Sequence, residues 1–189
     1  GEDLALISMN HWAPAIVEGA AWNPTTGYGY GLHIMNHSWV TNFPYRSLKE
    51  AIGFAWVNQC LTVAARGNWD KFSPQFPSIQ TPLYPACFRD EWALNIGGSG
   101  PNGSAKLSGQ GYPGDSADIR FEPMIGADVD LIAPSTKLLV NTTSHAKRDT
   151  STNIYHYGHD RFNGTSAAAP HASGAAALLM SYFNVPNGN

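Results

Sequence analysis

Apolar positions along the chain fall into short runs that switch between the period of a strand and the period of a helix. The run Leu4 to Met9 reads as a strand, and Ala13 to Trp22, with Ile16, Val17, Ala20 and Ala21 at helical spacing, reads as a helix. A turn rich in Gly and Tyr, Gly27 to Gly31, leads into a brief apolar stretch, Leu32 to Met35. Ser47-Leu48-Lys49-Glu50 then has the Ser-x-x-Glu form of a capping box, opening a helix with Leu48, Ala51, Ile52, Ala55 and Trp56 on one face. Leu61 to Ala65 is wholly apolar or β-branched and is bounded by Gly67-Asn68, as expected of a parallel strand buried on both sides. Trp92 to Gly97 and Val129 to Ala133 have the same character. Two segments rich in Gly, Pro, Ser and Asn, Lys71 to Pro85 and Gly98 to Asp118, read as surface loops. This alternation predicts an α/β fold around a mainly parallel sheet, in a single domain over 1–189.

The last predicted element is different. Ala167 to Leu179 is almost entirely Ala, Gly and Leu, apolar on every side, which predicts a helix through the interior despite Pro170 and Gly174. Just before it stands Asn163-Gly164-Thr165-Ser166. A small hydroxyl residue there is a natural N-cap, and it also lies at the positive end of the helix dipole, where an alkoxide or oxyanion is stabilised.

Composition narrows the function. With 43% hydrophobic residues and 13% charged, 189 residues suffice for one sizeable core. The net charge of −3 and the lack of any basic run give no footprint for nucleic acid or for an acidic membrane surface. No stretch approaches the roughly 18 uninterrupted apolar residues of a membrane span, and Gly1-Glu2-Asp3 does not open a signal peptide, so any export signal is expected upstream. Cys60 and Cys87 lack metal spacing; they are expected to be two buried thiols, with a disulfide as the alternative.

The stretch Phe162-Asn163-Gly164-Thr165-Ser166-Ala167-Ala168-Ala169-Pro170-His171-Ala172-Ser173-Gly174 resembles the nucleophile motif of the subtilisin family, Gly-Thr-Ser-x-Ala-x-Pro-His-x-x-Gly, at every fixed position. Three further segments resemble that family in its order. Ile34-Met35-Asn36-His37-Ser38-Trp39 is similar to the segment whose backbone pairs with substrate, Val63-Ala64-Ala65-Arg66-Gly67-Asn68 to the oxyanion-hole strand, and Val129-Asp130-Leu131-Ile132-Ala133-Pro134 to a strand ending near the site. The resemblance implies a three-layer subtilisin-like fold with its N-terminal part missing. It implies a serine endopeptidase in which Ser166 attacks the scissile carbonyl while the Asn68 amide and the Ser166 N–H hold the oxyanion. Asn68 separates this family from the sedolisins, which share Gly-Thr-Ser but place an Asp in the oxyanion role.

In the subtilisin order, Asp and His precede Ser, yet neither of those motifs stands in this chain. They are expected in an upstream segment, held as a separate chain or continuous with this one. An α/β-hydrolase is excluded because no Asp or Glu follows Ser166. His171 is expected to be structural, and His37 is a weak candidate base. His145, His156 and His159, with Asp149 and Asp160, read as a solvated polar loop whose spacing matches no zinc pattern. Gly97-Gly98-Ser99-Gly100 is no phosphate loop, since no Gly-Lys-Ser/Thr follows.

The resemblance further places Ser38, Trp39 and Val40 on one wall of the substrate pocket and Ala65, Arg66 and Gly67 on the other, with Leu83 at its floor. Val40 and Leu83 stand where the family commonly has smaller residues, which predicts a shallow pocket for small or medium apolar side chains. The expected partners are a peptide or protein substrate and the upstream segment, with no nucleic acid and no membrane, at a secreted or cell-surface location. The chemistry requires no cofactor, and a structural calcium ion is compatible with it. The alternative reading is a noncatalytic fragment of the same fold that binds peptides.

Overall fold

A computed structural model of the chain describes residues 9–70, 77–88, 92–100, 103, 121–136, 138–148 and 155–183. Four apolar runs form one sheet: β1 (Ile34–His37), β2 (Leu61–Ala65), β4 (Ala93–Ser99) and β6 (Leu131–Pro134), side by side in the order β1-β2-β4-β6. All three pairings are parallel. Helices cover both faces of the sheet, and among those described only the one between β1 and β2 is a crossover. α1 (Met9–Ala20) and α2 (Arg46–Val57) pack together on one face, and α3 (Thr165–Tyr182) lies across all four strands on the other.

Side chains alternate across a strand, so neighbouring residues of β2 serve different cores. Ala64, with Cys60 just before the strand, joins Ile16, Leu48, Ile52 and Ala55 under the two helices. Val63 and Ala65 join Ile96, Ala133, Ala168 and Ala169 under α3. The result is a three-layer α/β arrangement. Each fully buried Leu or Ile contributes about 1.5–3 kcal/mol by leaving water, and Leu48, Ile52 and Ile96 are all at 0% exposure.

Two smaller pairings position the site. β3 (Asn68–Asp70) runs antiparallel to β5 (Phe121–Pro123), with Asn68 opposite Pro123. β7 (Leu138–Arg148) and β8 (Tyr155–Phe162) form an antiparallel pair that leads directly into α3, with an irregular register between Thr142 and Lys147.

Several expectations are corrected. Met9 opens α1 instead of closing a strand, and residues 4–8 lie outside the described residues. The Ser47-x-x-Glu50 capping box does not form: α2 starts at Arg46 after Tyr45 with no side-chain cap, because the Arg46 Nε donates to Glu50 at 2.6 Å and takes the carboxylate away. Trp56 is exposed; Gly53 shares the buried face instead. His145, His156, His159 and Asp160 belong to β7 and β8, not to a loop, while Asp149 lies outside the described residues. Of the two predicted loops, 71–76, 101–102 and 104–118 lie outside the described residues, whereas Gly98 and Ser99 belong to β4 and Leu83 and Pro85 are buried.

The expectation that α3 runs wholly through the interior is also corrected. Its buried residues are Thr165, Ala167, Ala168 and Ala169, while Leu178 and Tyr182 are 74% and 78% exposed. The sheet supports only the first turns, and no described element covers the rest. Among the described residues, no helix is long and apolar enough to cross a membrane.

Candidate active site

β8 ends at Phe162, and the chain must turn sharply to start α3. Gly164 makes that turn at φ 90° and ψ 179°, a backbone region essentially reserved for glycine. Its N–H donates to the Ser135 carbonyl at 2.7 Å, which pins the turn to the end of β6. A β-carbon on Gly164 would stand 2.8 Å from both the Nδ2 and the Oδ1 of Asn68. Glycine is therefore required twice, once for its torsion and once for the close approach of Asn68.

The first N–H groups of a helix lack acceptors within the helix. The Thr165 N–H donates to the Asn68 Oδ1 at 2.9 Å, so a residue 97 positions earlier caps α3. Because that donor must meet an oxygen, the Asn68 amide has one orientation, with its NH₂ available to donate. The fully buried Thr165 completes the lock: its Oγ1 accepts from the Gly67 N–H at 3.0 Å and donates to the Asn68 Oδ1 at 3.4 Å. β2 reaches this point through Gly67, whose φ is 104°. Asn68 and Ser166 are thus brought together by one hydrogen-bonded unit around Thr165.

Ser166, half-buried at the second position of α3, is joined reciprocally to the end of β1. Its Oγ donates to the Ser38 carbonyl at 3.1 Å, and the Ser38 Oγ donates to the Ser166 carbonyl at 2.8 Å. Asn36 steadies Ser38, its Nδ2 donating to the Ser38 Oγ at 2.9 Å while its Oδ1 accepts from Ser173 at 3.1 Å. The serine hydroxyl therefore donates to a main-chain oxygen, and among the described residues no histidine accepts from it. His171 bonds its own helix instead, its Nδ1 2.8 Å from the Ala167 carbonyl, and it is exposed rather than packed. His37 is buried, edge-on to Trp39 at 5.4 Å, with its Nε2 unpartnered. Burial holds its pKa down at about 4.

The segment after Trp39 and Val40 meets the segment that carries Leu83. Thr41 and Tyr84 exchange two backbone bonds of 2.8 Å, tying the segment after Val40 to the residue after Leu83. Leu83 is fully buried, and its Cδ1 occupies the place a β-carbon on Gly67 would take. Ala65 is buried beneath α3. Trp39 turns its ring onto Trp12 at 4.3 Å, and Val40 is half-buried. The Arg66 side chain faces away from this convergence: its two terminal nitrogens donate to the Thr81 and Ile125 carbonyls, each at 3.1 Å, and its Nε lies 3.6 Å from the Asp128 carboxylate. Behind it opens a cleft of about 820 Å³ whose lining includes Lys49, Arg66, Tyr84, Cys87, Asp128 and Asp130 but none of Ser38, Asn68 and Ser166.

Cys60 and Cys87 are free and buried. Burial pushes the Cys60 thiol up to about 11; burial, then a hydrogen bond to Asp128, pushes Cys87 up to about 12. Neither is a nucleophile near neutral pH. The structure brings Ser166 and Ser38 into direct contact and sets Asn68 against the residue before Ser166; sequence reasoning does not reach Thr165 as the partner of Asn68 and Gly67, or Asn36 and Ser173 behind Ser38. The glycine of Gly-Thr-Ser was the available signal, since a glycine directly before a helix start marks a strained turn.

Comparison with known proteins agrees with this geometry. The sequence pattern of the subtilase family, Peptidase_S8, matches residues 11–187. Subtilisin DY from Bacillus licheniformis is 29% identical over 169 residues, covering 89% of this chain and 48% of its own length. Subtilisin BL from Lederbergia lenta is 27% identical over 165 residues, covering 87% and 46%. The chain thus spans about half the length of these relatives. The prenylagaramide maturation protease PagA has the same fold, with a TM-score of 0.59 at 22% identity, covering 93% of this chain and 50% of that one. With the subtilase pattern matching residues 11–187 and the fold bearing it out, the chain belongs to the subtilase family.

Proposed function

We propose that this chain is the nucleophile-bearing part of a serine endopeptidase. The Ser166 Oγ adds to the scissile carbonyl carbon as its proton passes to a histidine base, and the oxyanion is held by the Asn68 NH₂ and the Ser166 N–H. The tetrahedral adduct collapses, the base hands its proton to the departing amine, and water then cleaves the acyl-Ser166 ester by the same steps. The histidine and its aspartate come from an upstream segment. No cofactor enters these steps. A secreted or cell-surface location goes with this reading.

The observation that carries the proposal is the Asn68–Thr165–Ser166 unit. Its oxyanion donor is fixed by a helix cap, so it is aligned before charge develops, which is what preorganised stabilisation requires. The Ser166–Ser38 bond and the exposed Leu178, Leu179, Tyr182 and Phe183 of the α3 end support an additional segment that brings the base and covers the helix. Leu83 over Gly67 supports a shallow pocket for small or medium apolar side chains.

A noncatalytic peptide-binding role is the second reading, favoured by the Ser166 hydroxyl donating to a carbonyl. Labelling with a fluorophosphonate, comparing the wild-type chain with Ser166→Ala, alone and with the upstream segment of the gene, separates the two. Labelling at Ser166 only when that segment is present is the expected result; none in either case rejects the protease. Efficient cleavage after Phe, Tyr or Arg would reject the shallow pocket.

A further inference from the structure

Arg66 is 1% exposed, yet it stands directly before Gly67-Asn68. A buried guanidinium is tolerated only where its charge and its donors are met. Here two of its donors are met by segments distant in sequence, while its buried Nε has no hydrogen bond and lies at ion-pair distance from Asp128. The Thr81 carbonyl lies two residues before Leu83, and the Ile125 carbonyl follows Met124, whose N–H donates to the Gly67 carbonyl at 2.8 Å. The same segments touch once more, the Ile125 N–H donating to the Ile79 carbonyl at 3.0 Å. Asp128 approaches from the cleft side as counter-charge. Gly126 leaves room beside this cation, since a β-carbon there would meet the Asp128 carboxylate and stand 3.1 Å from an Arg66 terminal nitrogen.

We propose that Arg66 is a positioning residue that sets the depth of the substrate pocket, clamping the Thr81 and Ile125 segments so that Leu83 stays pressed against Gly67 beside the oxyanion donor. The clamp depends on the planar fork of arginine, which spans two carbonyls at once; lysine, a point charge, satisfies one at a time. The substrate-depth part rests on the protease reading above, and the clamp itself does not.

Two measurements test it. The first is amide hydrogen exchange on the chain itself, comparing Arg66→Met, Arg66→Lys and Asp128→Asn. Faster exchange at Met124 and Ile125 is expected in Arg66→Met, an intermediate effect in Arg66→Lys, and little in Asp128→Asn, which leaves both carbonyl bonds in place. The second is hydrolysis by the protein with its upstream segment, using peptides with Ala or Phe before the scissile bond. Leu83→Gly opens the floor directly, and Arg66→Met should shift the ratio of kcat/KM in the same direction, toward Phe, by about tenfold, the scale of a changed apolar pocket. Asp128→Asn should lower the melting temperature and leave that ratio unchanged. Unchanged exchange at Met124 and Ile125 in Arg66→Met overturns the clamp, whatever the activity. Altered exchange with an unshifted ratio overturns the role in substrate selection. Altered exchange in a protein with no Ser166-dependent hydrolysis overturns the protease reading while upholding the clamp.

Discussion

Gly164→Ala isolates the turn on which the site depends. At φ 90° and ψ 179° an L side chain costs about 1–3 kcal/mol in backbone strain. The new β-carbon would also stand 2.8 Å from the Asn68 amide atoms and 3.0 Å from its Cγ, so Asn68 must retreat. Its retreat weakens the cap on the Thr165 N–H, worth about 1 kcal/mol. Together these come to about 3 kcal/mol, or a fall of about 6–12 °C in melting temperature for a domain of this size. Gly174→Ala is the matched control, because nothing lies within 4 Å of its β-carbon. That position is an exposed helix interior, where alanine is favoured over glycine by about 1 kcal/mol. Thermal unfolding of both variants, followed by circular dichroism, should move the two melting temperatures in opposite directions. Fluorophosphonate labelling in the presence of the upstream segment should fall for Gly164→Ala and hold for Gly174→Ala. A Gly164→Ala protein as stable and as readily labelled as wild type would refute both the strain and the contact with Asn68.

Asn68→Leu should lower kcat of the complete protein by about 10²–10³, with Ser166 still present; the size is that measured in subtilisin itself and is borrowed from it, not worked from this geometry. Because burial holds His37 at about 4 against 6.5 when unfolded, the unfolded chain takes up this proton first as pH falls. The stability present above pH 6.5 therefore declines toward pH 4 by about 3 kcal/mol, and His37→Leu should flatten that limb in urea titrations. Cys60 and Cys87, buried and with raised pKa values, should resist iodoacetamide at pH 8 in the folded chain and react once it is unfolded, as peptide mass mapping would reveal.

Elements with strong local punctuation were legible from sequence. β2 falls at Leu61 to Ala65 as predicted, bounded by Gln59 at φ 61° before it and Gly67 at φ 104° after it. The capping box of α2 misled because Arg46, one residue earlier, competes for the same Glu50 carboxylate, a choice decided by side-chain geometry. The strands around His145, His156 and His159 are hard to see in the sequence because these histidines and the neighbouring charges mask β-branched and aromatic positions such as Thr142, Tyr155 and Tyr157. In the site, Ser166, Asn68 and Ser38 were legible through motif order. The hub role of Thr165 was not, since it rests on contacts across 97 and 98 positions that no local pattern encodes. The buried course of the Arg66 side chain is equally hidden, because only the fold reveals which carbonyls lie within its reach.

α3 both carries Ser166 and forms half of a core, with Ala168 and Ala169 closing over Val63, Ala65, Ile96 and Ala133. During synthesis the strands leave the ribosome before this helix, so one face of the sheet waits uncovered until α3 follows. The residues that close that face lie two and three positions beyond Ser166. A nascent chain therefore cannot align Ser166 with Asn68 before it has finished packing, and the assembly of the site is timed to the completion of the fold rather than to the translation of the serine codon.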